Sequence, residues 1–123
     1  MLIRIAGESG EVGWGEAYGI TAPEAVKAII DALLAPVMLG RDRSAPAVLH
    51  QDLYDLMRVR GFASGYYGAA LAGVDIACWE SYGQLTGLSI SRLLGGRRHE
   101  TLPPYVSGPP KSTLAERCDM ARC

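Results

Sequence analysis

Apolar residues recur at helical spacing in several stretches of the chain, and the longest of these runs from Gly68 to Gly87. Alanines between its larger residues keep the helix surface thin, so neighbouring elements can approach closely. Asp75 and Glu80 interrupt the apolar character, and each needs a polar partner if it is buried. The apolar positions follow the 3.6-residue period of a helix with one packed face, namely Leu71, Val74, Ala77, Cys78 and Leu85.

Small residues divide the region that follows this helix. Gly87 is placed where a left-handed C-cap is expected. Ser89 predicts the start of a short helix that ends at Leu93-Leu94. Two successive glycines, residues 95–96, then allow a sharp exit of the backbone.

The N-terminal part of the chain alternates with the period of two that is typical of strands. We predict a first strand over residues 2–5, a turn over residues 8–11 and a second strand over residues 12–17. Gly13 and Gly15 share one face of the second strand, where a helix or loop could lie close to the backbone.

Two amphipathic helices are predicted between the hairpin and the long helix. Thr21 and Glu24 have the spacing of a capping box, with Pro23 in the first turn. Pro36 is expected to end that helix, and Ser44 to cap the next one. The buried stripe of the first helix is Val26, Ile29, Ile30, Leu33 and Leu34, and that of the second is Leu49, Leu53, Leu56 and Met57.

The C-terminal part predicts a strand over residues 102–107, entered through prolines, and a helix over residues 114–123 that begins at Ser112 and Thr113. The order of elements before it predicts an α+β fold, in which a small antiparallel sheet packs on a three-helix bundle.

Composition limits the class of function. The chain has 123 residues, 49% of them hydrophobic, and a net charge of −1, so nothing indicates nucleic acid or an anionic membrane as a partner. From the residues given we expect no signal peptide, and no apolar run among them is long enough for a membrane span. The three cysteines form no C-x-x-C pair, and we interpret them as reduced thiols of a cytoplasmic protein.

Two motifs carry a resemblance to a known family. The first motif is the Gly-Trp-Gly-Glu of residues 13–16. The second motif lies in and after the long helix and comprises Asp75, Ile76, Ala77, Trp79, Gly83, Gly87 and the Leu-Leu-Gly-Gly of residues 93–96. Together they resemble the N-terminal capping domain of the mandelate racemase and muconate lactonizing enzyme branch of the enolase superfamily.

The resemblance implies two domains. Residues 1–99 would form the capping domain, without the first strand of the family's three-stranded sheet. Residues 100–123 would be the first strand and helix of a truncated (β/α)₈ barrel, which is where such enzymes carry their chemistry. We therefore expect a fragment, truncated or mis-started at its N-terminus.

The family abstracts a proton α to a carboxylate, with Mg²⁺ stabilising the enediolate. Its lysine base and its carboxylate metal ligands belong to barrel strands that this chain does not contain. We therefore expect no catalytic residue and no metal site here, and no turnover by this chain alone. The complete enzyme would be a homo-oligomer acting on a hydroxy acid or acid sugar.

The loop over residues 17–22 is the candidate specificity loop by resemblance, with Tyr18, Gly19, Ile20 and Thr21 as its site residues. The Tyr18 ring could exclude water while its hydroxyl binds a polar substrate; the alternative is a surface aromatic beside a helix. Ser107, at a predicted strand end, is a further candidate, and its alternative is a turn hydroxyl.

Other candidates have simpler structural interpretations. We interpret Trp14 and Trp79 as core aromatics, Glu16 as a structural hydrogen-bonding group and His50 as a solvated helix residue. For function, acid-sugar dehydration is the first hypothesis. Racemisation or cycloisomerisation in the same family, a stand-alone helical interaction module, and a degenerate reading frame are the alternatives.

Overall fold

The computed structural model describes residues 1–42, 44–103 and 110–120. Two strands form one antiparallel sheet, and three helical regions pack with it around a long central helix. The predicted combination of a small antiparallel sheet with helices is confirmed. The elements are β1 (Leu2–Ala6), β2 (Val12–Glu16), α1 (Pro23–Ile29), a π-helical turn (Ile30–Leu34), α2 (Ala35–Met38), α3 (Pro46–Arg58), α4 (Gly65–Thr86), α5 (Ile90–Leu93) and α6 (Leu114–Met120).

Helix α4 lies directly on the backbone of β2. A methyl group built on Gly13 would lie 2.0 Å from the carbonyl oxygen of Ala77, and one on Gly15 would lie 2.0 Å from that of Gly73. The close approach expected at the two strand glycines is confirmed. The buried core around this contact comprises Ile3, Ala17, Val26, Leu34, Leu49, Leu53, Tyr67, Ala70, Leu71, Val74, Ala77 and Cys78.

The two edges of the sheet differ. Met1 and Ala17 form a hydrogen-bonded backbone pair at the end of the sheet. Because the amides of a strand point alternately to its two sides, those of Leu2, Arg4 and Ala6 point away from β2. The outer edge of β2 instead bonds to side chains of α4. The β2 edge of the sheet is therefore covered by side chains of α4, whereas the β1 edge is open.

Helix α1 does not begin with the predicted capping box, and the helical segment that it opens does not stop at Pro36 but continues to Met38. Ala22 occupies the N-cap position, and no side chain caps the helix. The chain instead continues through Pro36 by means of the π-helical turn, in which the Ala35 amide donates to the carbonyl of Ile30. The wider turn accommodates a residue that has no amide hydrogen and crowds the preceding turn.

The predicted cap of the next helix is also wrong. Ala45 is the N-cap of α3, and its carbonyl accepts hydrogen bonds from Val48 and Leu49. The Ser44 amide and hydroxyl donate to the Asp42 carboxylate at 2.8 and 2.6 Å. The Ser44 side chain therefore closes the preceding turn and does not cap the helix.

The predicted C-cap of α4 and N-cap of α5 are confirmed. Gly87 is a left-handed C-cap with a φ of 68°, and the Ser89 hydroxyl accepts a hydrogen bond from the Arg92 amide at the start of α5. Helix α4 begins at Gly65, one turn earlier than predicted. Two side chains expected in the core, Trp14 and Leu85, are each 48% exposed.

Helix α6 begins at Leu114, directly after the cap predicted at Thr113. The Thr113 hydroxyl accepts from the amide of Glu116, and the Glu116 carboxylate accepts from the amide of Thr113, which is a reciprocal capping box. The predicted end of this helix at Cys123 and most of the predicted strand over 102–107 lie outside the described residues. None of the described helices is long and apolar enough to cross a membrane.

Candidate functional site

The loop over residues 17–22 contacts the packed core at its start and near its middle. At its start, Ala17 is 1% exposed, and its amide and carbonyl each bond to Met1 at 2.9 Å. Near its middle, a methyl group on Gly19 would lie 3.3 Å from the Cα of Pro23 and 3.6 Å from the Val26 side chain. The loop is therefore short and anchored on the packed core.

The middle of the loop faces outward. The exposed fraction of Tyr18 is 73% and that of Ile20 is 79%, and Thr21 is also exposed. Since no side chain caps α1, the Thr21 hydroxyl is not committed to the helix N-terminus. The loop thus presents an aromatic ring, an aliphatic side chain and a hydroxyl that could contact a ligand together.

Two side chains of α4 hold the strand that leads into this loop. The amide of Trp14 donates to the Glu80 carboxylate. Gln84 bonds to both backbone groups of Val12, accepting from the amide at 3.2 Å and donating to the carbonyl at 2.6 Å. These side chains take the place of a neighbouring strand and fix β2, and with it the start of the loop, relative to α4.

The remaining candidates do not gather around the loop. The Glu16 side chain is exposed at the end of β2, and Ser107 lies outside the described part of the chain. The structure therefore brings together Tyr18, Gly19, Ile20 and Thr21 by chain continuity, and no other predicted site residue is shown to join them.

The sequence did not predict an inter-helix contact between His50 and Asp75. The Nδ1 atom of His50, on α3, lies 3.2 Å from the Asp75 carboxylate on α4. The His50 ring also stacks on Tyr54, with centroids 6.4 Å apart. His50 is thus part of a helix contact, and Asp75, whose side chain is 27% exposed, has a polar neighbour there without being buried.

Other acidic side chains form pairs along the surface. The Asp52 carboxylate pairs with Arg41, and Asp55 pairs with Arg58 at 2.6 Å. Hydrogen bonds from Gln51 and Arg58 lower the pKa of the Asp55 carboxyl below its usual value. These are solvated ion pairs, which contribute little to stability.

No group of three or more His, Cys, Asp or Glu side chains in the described ranges is placed to hold a metal ion. Mg²⁺ prefers several oxygen ligands arranged octahedrally. The described residues therefore do not fit a magnesium ion.

Comparison with known proteins gives the family. Residues 1–95 match the family described as "Mandelate racemase / muconate lactonizing enzyme, N-terminal domain". The chain is 34% identical to muconate cycloisomerase 1-1 of Acinetobacter lwoffii, with 94% of this chain and 31% of that protein covered. It is 36% identical to D-galactarolactone cycloisomerase of Agrobacterium fabrum, with 95% and 30% covered. It is 35% identical to a D-galactonate dehydratase family member of Streptomyces sp., with 95% and 27% covered.

Solved structures agree. A member of the enolase superfamily from Agrobacterium tumefaciens superposes with a TM-score of 0.89 at 52% identity, and the match covers 98% of this chain and 31% of that one. A mandelate racemase/muconate lactonizing protein from Paracoccus denitrificans, complexed with magnesium, superposes with a TM-score of 0.73 at 36% identity, with 83% and 27% covered.

The chain thus spans less than a third of the length of these relatives. The match over residues 1–95 covers most of the chain, and the hairpin, the α4 glycine contacts and the Gly87 cap lie within it. This chain belongs to the mandelate racemase/muconate lactonizing enzyme family, within the enolase superfamily.

Proposed function

We propose that this chain supplies the capping domain of an enzyme that removes a proton α to the carboxylate of a small substrate. Residues 1–99 would form that domain and residues 100–123 would begin the barrel. The observation that carries the proposal is the family match over residues 1–95. The complete enzyme would be cytoplasmic and homo-oligomeric.

Magnesium would stabilise the negative charge that α-proton removal creates in the complete enzyme. A family structure contains the ion, but the described residues do not fit it. The role that we propose for this chain is therefore limited to contacts with the substrate. By itself, the chain would not turn over substrate.

The substrate class that we propose is an acid sugar, and the reaction is its dehydration. The exposed loop offers two hydroxyls, those of Tyr18 and Thr21, which suit a hydroxylated substrate better than an apolar one. The name of a dehydratase relative supports this choice. Cycloisomerisation is the second candidate, favoured by the names of two other relatives.

Tyr18 would act by closing over the bound substrate. Its ring would exclude water, and its hydroxyl would hydrogen-bond a substrate hydroxyl. Because Ala17 is buried and fixed to Met1, the start of the loop is held while the Tyr18 side chain stays accessible. Loss of the hydroxyl would weaken substrate binding more than it slows the chemical step.

A domain exchange tests this role. In D-galactonate dehydratase, the segment that matches residues 1–95 is replaced by this sequence, and the relative's own preceding residues and barrel are kept. We expect the chimera to be active on an acid sugar, and Tyr18→Phe to raise KM several-fold with a smaller effect on kcat.

Tyr66→Phe is the matched control, since Tyr66 is a partly exposed tyrosine on α4 outside the loop. An unchanged KM in the folded Tyr18→Phe chimera would refute the role of Tyr18. Turnover by the purified 123-residue chain would refute the proposal that it is inactive alone.

A further inference from the structure

A cluster of arginines surrounds two shallow depressions beyond α4. One depression, of about 560 Å³, is lined by Ser89, Ser91, Arg92, Gly96 and Arg97. A second, of about 490 Å³, shares Ser91, Gly96 and Arg97 and adds Arg98, His99, Glu100 and Leu102. Arg97 therefore borders both depressions.

The charge of this region is opposite to that of the chain as a whole. Residues 87–103 hold Arg92, Arg97 and Arg98 against the single carboxylate of Glu100, while the full chain has a net charge of −1. All three arginines are exposed. The excess of positive charge is therefore local and accessible to a dissolved anion.

Arg92, Arg97 and Arg98 have no carboxylate partner among the described residues, whereas two arginines elsewhere in the fold do. Arg41 pairs with Asp52, and Arg58 pairs with Asp55. For Arg92, Arg97 and Arg98, the described residues provide neither an ion pair nor a side-chain hydrogen bond. The guanidinium donors of the cluster remain available for an external oxyanion.

Backbone geometry and hydroxyls complete the depression. The chain reverses through Gly95 and Gly96, whose φ angles are 102° and 108°, and the Gly96 amide donates to the Ser91 carbonyl at 2.7 Å. This turn returns Arg97 to the depression that Arg92 borders. The hydroxyls of Ser89 and Ser91, 3.0 Å apart, add polar groups to the same wall.

We propose that Arg92 and Arg97, with Ser89 and Ser91, form a binding site for a small oxyanion. Guanidinium groups match the oxygen geometry of both carboxylate and phosphate, and charge-assisted hydrogen bonds are the stronger class. The shared chemistry of the ligand is a multivalent anion that presents two or more oxygens. This site is separate in sequence from the loop over residues 17–22.

The test uses the full 123-residue chain labelled with ¹⁵N. Inorganic phosphate and succinate are titrated separately at a constant ionic strength of about 0.15 M, so that general screening does not change. We expect saturable amide shifts confined to residues 89–100. The anion whose shifts saturate at the lower concentration shows whether the site prefers a phosphate or a carboxylate ligand.

Arg92→Ala combined with Arg97→Ala should weaken the binding by about tenfold or more, because two charged hydrogen-bond donors are lost. Arg4→Ala is the matched control, since Arg4 is an exposed arginine that lines neither depression. Shifts that stay linear for both anions, or an equal loss of affinity in the control, would overturn the proposal.

Discussion

The backbone of Gly13 lies against the carbonyl of Ala77 so closely that a methyl group on Gly13 would lie 2.0 Å from that oxygen. The atoms in contact are backbone atoms of two regular elements, so no side-chain rotation can relieve an added group. Gly15 meets Gly73 in the same way, one turn earlier in α4. The hairpin and the central helix are therefore locked together through glycines.

Two alanine substitutions within α4 should have opposite effects. A methyl group on Gly73 would lie 2.6 Å from the Ile3 side chain and 2.8 Å from the backbone nitrogen of Ala17. We expect Gly73→Ala to lower the free energy of unfolding by about 3 kcal/mol, because the core would be overpacked.

Gly68 provides the matched substitution, since its nearest contact would be the Ala63 carbonyl at an ordinary 3.5 Å. Gly68→Ala should raise the free energy of unfolding by ~0.5–1 kcal/mol, because alanine loses less backbone entropy in a helix. Urea unfolding of both variants checks the pair. Equal destabilisation by the two substitutions would contradict the close packing of Gly73.

The Glu80 carboxylate should protect the amide of Trp14. We expect Glu80→Ala to lower the free energy of unfolding by about 1 to 2 kcal/mol and to speed hydrogen exchange at that amide, because its acceptor is removed. Glu80→Gln keeps an acceptor oxygen at the same place and should restore most of the protection. Unchanged exchange at Trp14 in the alanine variant would show that the contact does not hold the strand.

Local signals in the sequence predicted the hairpin, α4 and the Gly87 cap. Strand alternation, helical period and a glycine in the left-handed region are properties of neighbouring residues. The N-caps of α1 and α3 were predicted wrongly because Pro23 and Pro46 decide them. A proline drives the residue before it out of the helical region, so Ala22 and Ala45 occupy the N-cap positions.

The contacts that α4 makes with its neighbouring elements could not be predicted in detail. The pairing of Glu80 with Trp14, and of His50 with Asp75, depends on how α4 is rotated and shifted against β2 and α3. The position of α4 along β2 follows from the packing of Gly13 and Gly15 against the helix backbone. The sequence indicated that a close contact would form, but not which turn of α4 would make it.

Stability should fall at high pH because of Tyr67. Burial raises the pKa of the Tyr67 hydroxyl, which donates to the Leu53 carbonyl. This contribution is fully present below the unfolded-state pKa of about 10 and is lost as the pH rises through the higher pKa of the folded state.

Urea unfolding at a series of alkaline pH values measures this effect. Tyr67→Phe should cost about 1 kcal/mol near neutral pH, because a hydrogen bond is lost, and should flatten the alkaline decline. Tyr18→Phe should leave the decline unchanged, since that side chain is 73% exposed. An equally steep decline in Tyr67→Phe would assign it to other groups.

The capping box of α6 should make the helix sensitive to acid. Hydrogen bonds from the Thr113 hydroxyl, the Thr113 amide and the Ser112 hydroxyl lower the pKa of the Glu116 carboxyl. The stabilisation that the carboxylate gives to the start of the helix is present above the unfolded-state value of about 4.3 and is lost as the pH falls through the lower folded-state pKa.

NMR titration of the Glu116 side-chain carboxyl carbon checks this prediction. Thr113→Ala should move the Glu116 pKa back towards its ordinary value, because the hydroxyl is the largest cause of the shift, and Ser112→Ala should move it less. The α6 amide signals should weaken as the pH is lowered. In the unsubstituted chain this loss should occur at lower pH than in the Thr113→Ala variant. If the Glu116 pKa is the same in the unsubstituted chain and in Thr113→Ala, the capping box is not formed in solution, because the hydrogen bonds between Thr113 and Glu116 define the box.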